Sequence, residues 1–496
     1  SYQNMLTTNL TLIGNKDKFY LRNTLNTEWK WHRIDLMTQN DKNLIQEKAY
    51  MPSHKVSNNF NLVKRLRNQS ISFSSFILWQ STPNTLDIFT DEKEKQIQSV
   101  STFFLFNNNH AIYSFTLGKF ILSLNGGINF LLRQMDSNQQ NNHIPVEGDL
   151  LYNDIQTNYI RSYLNPKIEL NKRFLILTIQ CPVSYYHYIY KKEKQRQTMN
   201  YGIYSPSLKV QWNLTPDLKW TILGGILQDK PDEFLWYNGW IVQNYRTIRQ
   251  GYMTTQKKNG KMMNMDISYK NLSLLLFANA KISLQWNNEK YIESQNFINK
   301  NLIVRSIIPE KHLSRQQLLQ GEVSKGIDFI DGSASLQGIY YTQFNRMYQD
   351  ESLMPFDTQL FSLFGKLNGK LGDKVDWNYS ISYSSASLNV NKNNLFSSKK
   401  VSNKVGLSWS PFSKISFQAN GEFYRNEIAN DKFKNIFFVD AAVVYRINKK
   451  YEISLDANNL LNNRIYDYTI TSNLSTFINQ QQIRRRELFI HLFCQF

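Results

Sequence analysis

The sequence lacks features that would indicate several common protein classes. Only two cysteines occur among its 496 residues, Cys181 and Cys494, and they lie far apart in apolar, strand-like stretches. A disulfide framework and a cysteine-based zinc site are therefore excluded, and both thiols are expected to be buried or to face lipid. No stretch approaches 18 uninterrupted apolar residues, which excludes a transmembrane helix. Residues 1–12 are polar and do not form a signal peptide.

The charges are numerous, but they do not gather into a stripe. Lys and Arg total 58 against 39 Asp and Glu, which gives a formal net charge of +19. A nucleic-acid-binding chain would concentrate its basic residues on one face. We therefore expect no nucleic-acid partner, and the scattered basic residues favour a membrane surface rich in anionic lipid.

Recognisable catalytic motifs are also missing. The sequence contains no nucleophile elbow, zinc-protease helix, phosphate-binding loop or dinucleotide-binding glycine pattern. His110, His187 and His491 lie in or beside strand-like stretches without nearby metal-binding partners. The chain is therefore predicted not to be an enzyme, and no residue is assigned a catalytic, cofactor-binding or metal-binding role.

The dominant pattern that is present has a period of two. In the last strand-like stretch, Leu488, Ile490, Leu492, Cys494 and Phe496 share one wholly apolar face, while the alternate positions are mixed. This alternation is typical of a β-strand with one face toward lipid and the other toward a polar lumen. Similar stretches recur along the whole chain, beginning with residues 1–14.

The connections between these stretches have a second rhythm. Very short turns fall at residues 170–173, 214–217, 371–374, 410–413 and 448–450, and long polar connections are predicted at residues 134–154, 187–200, 287–301, 388–400 and 461–482. Outer-membrane barrels place short turns on the periplasmic side and long loops on the extracellular side. We therefore predict an all-β, antiparallel transmembrane barrel of about 22 strands, occupying residues 1–496 as a single domain.

Some charged and aromatic groups have more than one interpretation. The acidic group Asp229–Glu233 is either a solvated loop or a calcium site, with the loop favoured. Residues 191–196 and 484–486 are basic and are either solvated or bound to lipid phosphates. Eight tryptophans near strand ends suit an interfacial aromatic girdle, or else a lumen that stacks carbohydrate: Trp29, Trp31, Trp79, Trp212, Trp220, Trp286, Trp377 and Trp409.

The C-terminal region resembles the TonB-dependent receptor family of Gram-negative outer membranes. The resemblance rests on the stretch from Asp456 to Tyr466, which reads DANNLLNNRIY, followed by a loop and a last strand that runs from Arg484 to Phe496. The segment from Asn244 to Thr247 is also similar to one found in some of these receptors.

The resemblance implies active uptake of a ligand across the outer membrane, with an iron chelate, glycan, peptide or vitamin as cargo. Its implied partners are outer-membrane lipid, lipopolysaccharide and a TonB-type energy-coupling protein that acts through a plug domain. No plug is visible between Ser1 and Phe496, so the plug belongs to a longer polypeptide, to a separate chain, or to neither. The alternative function is a plug-less scaffold that holds surface or periplasmic lipoproteins, and a third is a passive pore.

The last residue provides a test of the barrel prediction. The resemblance implies that the strand ending at Phe496 is recognised by the outer-membrane insertion machinery. Phe496→Asp is therefore expected to abolish assembly, measured as loss of the heat-modifiable species from the outer-membrane fraction. Normal assembly of this variant would contradict the prediction, and Gln495→Asp is the control because its side chain lies on the opposite face.

Overall fold

The computed structural model describes residues 2–40, 43–90, 95–140, 151–192, 195–298, 302–429, 432–448, 450–472 and 475–494. In these ranges the chain is nearly all β-strand, with two 3₁₀ helices at Glu233–Leu235 and Asp328–Ile330. No helix in the same ranges is long and apolar enough to span a membrane. The strands are β1 (Tyr2–Lys16), β2 (Phe19–Asn40), β3 (Asn43–Leu66), β4 (Gln69–Thr90), β5 (Lys95–Leu117), β6 (Phe120–Gln140), β7 (Tyr152–Asn171), β8 (Leu175–Gln180), β9 (Val183–Lys192), β10 (Gln195–Tyr204), β11 (Ser207–Asn213), β12 (Leu218–Asp229), β13 (Trp240–Asn244), β14 (Thr247–Gln250), β15 (Lys258–Asn271), β16 (Leu276–Glu289), β17 (Ile292–Phe297), β18 (Ile303–Ile308), β19 (His312–Ile327), β20 (Gly332–Gln349), β21 (Ser352–Leu371), β22 (Val375–Val390), β23 (Asn393–Phe412), β24 (Ile415–Ala429), β25 (Lys432–Arg446), β26 (Tyr451–Asn458), β27 (Ile465–Ser472), β28 (Ser475–Gln482) and β29 (Glu487–Cys494).

One sheet of 27 strands contains every strand except the β27–β28 hairpin. Its long strands form an antiparallel meander that we call the wall. Two wall strands are interrupted. The segments β8 and β9 together form one wall strand that pairs with β7, and the segments β10 and β11 together form the next one, with β10 paired to β9 and β11 paired to β8. The wall contains 21 strands when each interrupted pair is counted once and the four short strands β13, β14, β17 and β18 are left out. The predicted all-β fold of about 22 strands is therefore confirmed.

The wall begins at β1 and ends at β29. In the described part of the chain, β1 pairs with β2 alone and β29 pairs with β26 alone. A pairing of the last strand with the first is not seen among these residues, and Phe496 lies outside them. The predicted faces of β29 are confirmed, because Leu488, Ile490 and Leu492 continue an exposed apolar face that includes Leu455 on β26.

The outward face of the wall carries an apolar belt. On β6 the outward positions are apolar from Phe120 to Leu132 and polar from Gln134 onward. On β7, which pairs with β6, the corresponding change falls between Asn158 and Ile160. Twelve residue steps at about 3.3 Å each, tilted by about 40°, give a belt about 30 Å tall. This height matches the hydrocarbon core of a bilayer.

The tryptophans mark both edges of the belt. The register places all eight predicted tryptophans on the outward face, which contradicts the lumen interpretation and confirms the girdle. At the short-turn edge Trp212 lies opposite Trp220 on the next strand, and Trp409 stacks on Phe417 at 5.4 Å. The first row contains Trp212, Trp220, Trp377 and Trp409, and the second contains Trp29, Trp31, Trp79 and Trp286. Within the second row, Trp29, Trp31 and Trp79 lie inside their strands rather than at the ends, because β2 and β4 continue past the belt.

Several predicted long loops are wrong because the strands continue past the belt. Residues 187–200 and 388–400 form the hairpins β9–β10 and β22–β23, and residues 461–482 contain β27–β28. Strands of 20 to 24 residues, such as β7 and β3, greatly exceed the roughly 10 residues needed to cross a bilayer. Beyond the belt both faces of a strand meet water, so the apolar alternation disappears while the hydrogen-bonded ladder continues.

A glycine on the inward face allows a close contact between neighbouring wall strands. Gly127 on β6 lies opposite His110 on β5 and Tyr163 on β7. A Cβ atom at Gly127 would come within 2.8 Å of both the His110 Cβ atom and the Tyr163 ring. The aromatic ring therefore lies in space that any larger residue would fill.

This contact yields a stability prediction. Gly127→Val is expected to destabilise the barrel by about 1–3 kcal/mol, because the added methyl groups overpack the site. The measurement is the temperature at which the folded band disappears in a heat-modifiability gel. Gly202→Val is the matched control, since nothing lies within 4 Å of a Cβ atom there. An equal transition temperature for both variants would contradict the packing argument.

Candidate functional site

Two insertions between wall strands form a small inner sheet that we call the bridge. It consists of β13, β14, β18 and β17, in that spatial order. β13 and β14 form a hairpin, β14 runs parallel to β18, and β18 is antiparallel to β17. The sequence predicted a long polar connection in only one of these two insertions. It did not predict that the two insertions pair with each other.

One end of the bridge joins the wall by backbone pairing. β17 runs parallel to the end of β20, with Ser294 opposite Tyr348 and Gln295 opposite Gln349. The Phe297 N–H donates to the Asp350 carboxylate at 2.8 Å. A buried apolar cluster supports this junction and contains Ile292, Met347, Phe356 and Leu388.

The other end is held by side chains of β3 and β5. The Gln98 side chain donates to the Val242 carbonyl at 2.9 Å and accepts from the Val242 N–H at 2.7 Å, although the two residues are 144 positions apart. The Glu47 carboxylate accepts from the Tyr245 N–H. Burial raises the pKa of Glu47, and this hydrogen bond opposes the rise. Because β3 and β5 lie nearly half of the wall away from β20, the bridge crosses the interior.

Two further side chains attach the segment that leads into the bridge. Arg133 on β6 donates to the Glu233 carbonyl at 2.7 Å, and the Asn153 side chain on β7 accepts from the Gly239 N–H at 2.8 Å. Desolvation lowers the pKa of Arg133, while the charge of Glu233 opposes this effect. A Cβ atom at Gly239 would lie 2.6 Å from the Tyr152 carbonyl oxygen, so only glycine permits this approach.

A buried aromatic cluster packs the same segment against the wall. Trp236 and Tyr188 are completely buried, and their ring centroids lie 5.4 Å apart. The other aromatic members are Tyr159, Tyr186, Tyr190, Tyr201 and Tyr237. The cluster lies close to the outer edge of the belt, so the bridge occupies the part of the barrel beyond the membrane.

A polar cavity of about 190 Å³ lies between the bridge and the wall. His312 Nε2 hydrogen-bonds the Asn345 side-chain oxygen at 2.8 Å. The Arg249 side chain on β14 pairs with Glu293 on β17 at 3.3 Å, across the intervening bridge strand β18. The mixed charges suit a polar ligand. The lining residues are Lys258, Glu289, Tyr291, Glu293, His312, Asn345, Arg346, Met347 and Phe356.

The structure corrects the interpretation of the acidic group Asp229–Glu233. Asp229 remains exposed at the end of β12, but the rest of the group is neither a solvated loop nor a cluster of free carboxylates. Glu233 is 2% exposed and pairs with Lys230, while Asp232 caps the first 3₁₀ helix by accepting from the Phe234 N–H at 3.1 Å. The group therefore forms the base of the bridge, and the segment Asn244–Thr247 forms the tip of its hairpin.

The C-terminal motif has a structural role. Asn459 and Asn462 adopt left-handed backbone conformations with φ of 51° and 56°, which asparagine tolerates well. The Asn459 side chain donates to the carbonyls of Asn463 and Arg484, and Asn462 accepts from the Arg486 N–H at 3.3 Å. The motif thus turns the chain out of β26 and holds the start of the last strand beside it.

The histidines and cysteines considered in the sequence analysis do not lie close to one another. His110 faces inward on β5, His187 bonds Asn200 at 2.8 Å on the outward face, and His491 pairs with Asp456 at 3.2 Å on β29. Cys181 and Cys494 are free and lie on the outward face. Within the described ranges, no group of three or more His, Cys, Asp or Glu residues is arranged to hold a metal ion.

Comparison of the whole fold with solved structures gives consistent matches, while no family model and no curated protein matches the chain. The copper transporter OprC superposes with a TM-score of 0.55 at 10% identity, covering 100% of this chain and 79% of that one. The ferric citrate transporter FecA in its unliganded form gives 0.53 at 11% identity, covering 100% and 76%. The chain has the barrel fold of TonB-dependent outer-membrane receptors. The resemblance carried by the C-terminal motif is therefore confirmed at the level of the fold.

The attachment of the bridge can be tested at Glu47 and Gln98. The double variant Glu47→Ala with Gln98→Ala leaves buried backbone groups of Val242 and Tyr245 unpaired, at a cost of about 1–3 kcal/mol for each group. Hydrogen exchange of the amides in β13 and β14 is expected to rise at least about tenfold, since 1.4 kcal/mol corresponds to a factor of ten. Glu47→Gln is the control because it keeps the acceptor. Equal protection in the two variants would show that these side chains do not hold the bridge.

Proposed function

We propose that this protein is an outer-membrane receptor barrel for active uptake of a metal ion or metal chelate, driven by a TonB-type protein. The observation that carries the proposal is the bridge. It crosses the interior of a receptor-type barrel and is attached at both ends, whereas a passive porin keeps an open aqueous channel.

The cargo class is proposed from the fold. The two matched structures are named as transporters of copper and of ferric citrate. The polar cavity beside the bridge, which contains Glu289, Glu293 and His312, offers oxygen and nitrogen groups suited to a polar, charged ligand. In this proposal the chain is a single barrel domain without catalytic activity, and its surroundings are outer-membrane lipid and lipopolysaccharide.

The proposal is tested by uptake in cells. The gene is deleted and then restored, and the accumulation of radioactive copper and of radioactive ferric citrate is measured with and without a protonophore. We expect gene-dependent uptake of one of these probes that stops when the proton gradient collapses.

Two results would contradict the proposal in different ways. Uptake that persists with the protonophore would indicate a passive pore. Absence of gene-dependent uptake for both probes would contradict a metal cargo. If the protein then also co-purified in mild detergent with a stoichiometric lipoprotein, the scaffold function would replace the uptake function.

A further inference from the structure

A groove opens on the outward side of the wall where two neighbouring strands separate. The β19–β20 ladder ends at the pair Arg315–Phe344, and beyond it β20 pairs with β17 of the bridge instead. The groove has a volume of about 440 Å³. It is lined by Leu313, Arg315, Gln317, Thr342, Phe344 and Arg346. The split between the strands is therefore a direct consequence of how the bridge joins the wall.

The groove combines cationic and apolar groups. Arg315 and Arg346 are exposed, and within the described ranges neither side chain takes part in a hydrogen bond or an ion pair. Phe344 and Leu313 line the same groove and are 36% and 37% exposed, respectively. Guanidinium groups match the geometry of phosphate oxygens, and the exposed apolar side chains suit acyl chains.

Neighbouring strands extend this arrangement. The register places Lys261, Trp286, Arg315 and Phe344 side by side on four consecutive wall strands, so that cations and aromatic rings alternate. Asp357 follows on β21, but the side chains of Asn389 and Gln359 both donate to its carboxylate at 2.8 Å. Two cations, Lys261 and Arg315, stand beside this single carboxylate, so the row carries a net charge of +1.

The row lies at the outer edge of the apolar belt. One outward position closer to the short turns, β15 and β16 carry Met263 and Leu284, while β19 and β20 carry Gln317 and Thr342. Two positions closer, the four strands carry Met265, Ile282, Leu319 and Tyr340. In the proposed orientation this edge faces the outer leaflet, and Trp286 belongs to the aromatic row at the same level. The two arginines therefore lie at the height of lipid headgroups.

The basic group at residues 191–196 is a weaker candidate. Lys191 and Arg196 face each other on the outward side of the β9–β10 hairpin, also near the edge of the belt. Asp136 and Asp154 lie opposite each other on the adjoining strands β6 and β7. Their carboxylates offset the two cations, so this surface does not favour an anion.

We propose that the groove between β19 and β20 binds the phosphorylated headgroup of an outer-leaflet lipid, with Arg315 and Arg346 holding its phosphates. The proposal rests on the proposed outer-membrane location and adds a specific lipid site to it.

The test uses the purified protein in phosphatidylcholine nanodiscs that contain bisphosphorylated lipid A. Wild type is compared with the double variant Arg315→Gln and Arg346→Gln, and bound lipid A is measured by native mass spectrometry. Loss of about 1 kcal/mol for each cation predicts weaker binding by about tenfold to thirtyfold. The matched control is Lys191→Gln with Arg196→Gln, which is expected to bind like wild type.

Three results would overturn the lipid site. They are unchanged binding in the groove variant, equal loss in both double variants, and displacement of the lipid by inorganic phosphate, which would indicate a site for free phosphate. Heat modifiability and outer-membrane fractionation of the same variants separate this failure from failure of the proposed function. A folded barrel in the outer membrane without groove-dependent binding contradicts the lipid site alone, whereas absence from the outer membrane contradicts the proposed function.

Discussion

Pairing of every backbone N–H and C=O group inside an apolar belt is the constraint on which the rest of this structure depends. Within hydrocarbon no water can satisfy an unpaired group, so the strands must form one continuous ladder. The ladder fixes the alternation of side chains, and the alternation separates an apolar outward face from a polar interior. Tryptophans then gather where the apolar face meets the headgroups.

The same ladder continues beyond the belt, and this extension creates the space in which the functional site lies. Outside the membrane the inward face is free to hold polar and aromatic side chains against a partner layer. Gln98 and Asn153 use their side-chain amides as substitutes for a neighbouring strand, and Tyr188 packs against Trp236. The bridge is thus an additional layer that packs against the inward face of the wall.

The bridge also links the inside of the barrel to its outer surface. When β20 leaves β19 and pairs with β17, the wall opens on its outward side between Arg315 and Arg346. Closing the interior and forming a lipid-facing groove are therefore two results of one change in strand pairing.

The sequence by itself determined the fold class, the faces of the strands and the position of the short turns. These follow from local patterns: alternation in Leu488–Cys494, turn residues such as Gly372 and Asp373, and the Asn459–Asn463 stretch that resembles a known family. The predicted loops at residues 187–200 and 388–400 were wrong, because a strand with water on both faces loses its apolar alternation. Only the tertiary structure decided the bridge and its attachments. Glu47 and Gln98 are single polar residues that carry no local signal, and their partners lie 198 and 144 positions away. Contacts over such distances depend on which strands the sheet brings face to face across the interior, and no short-range pattern encodes that choice.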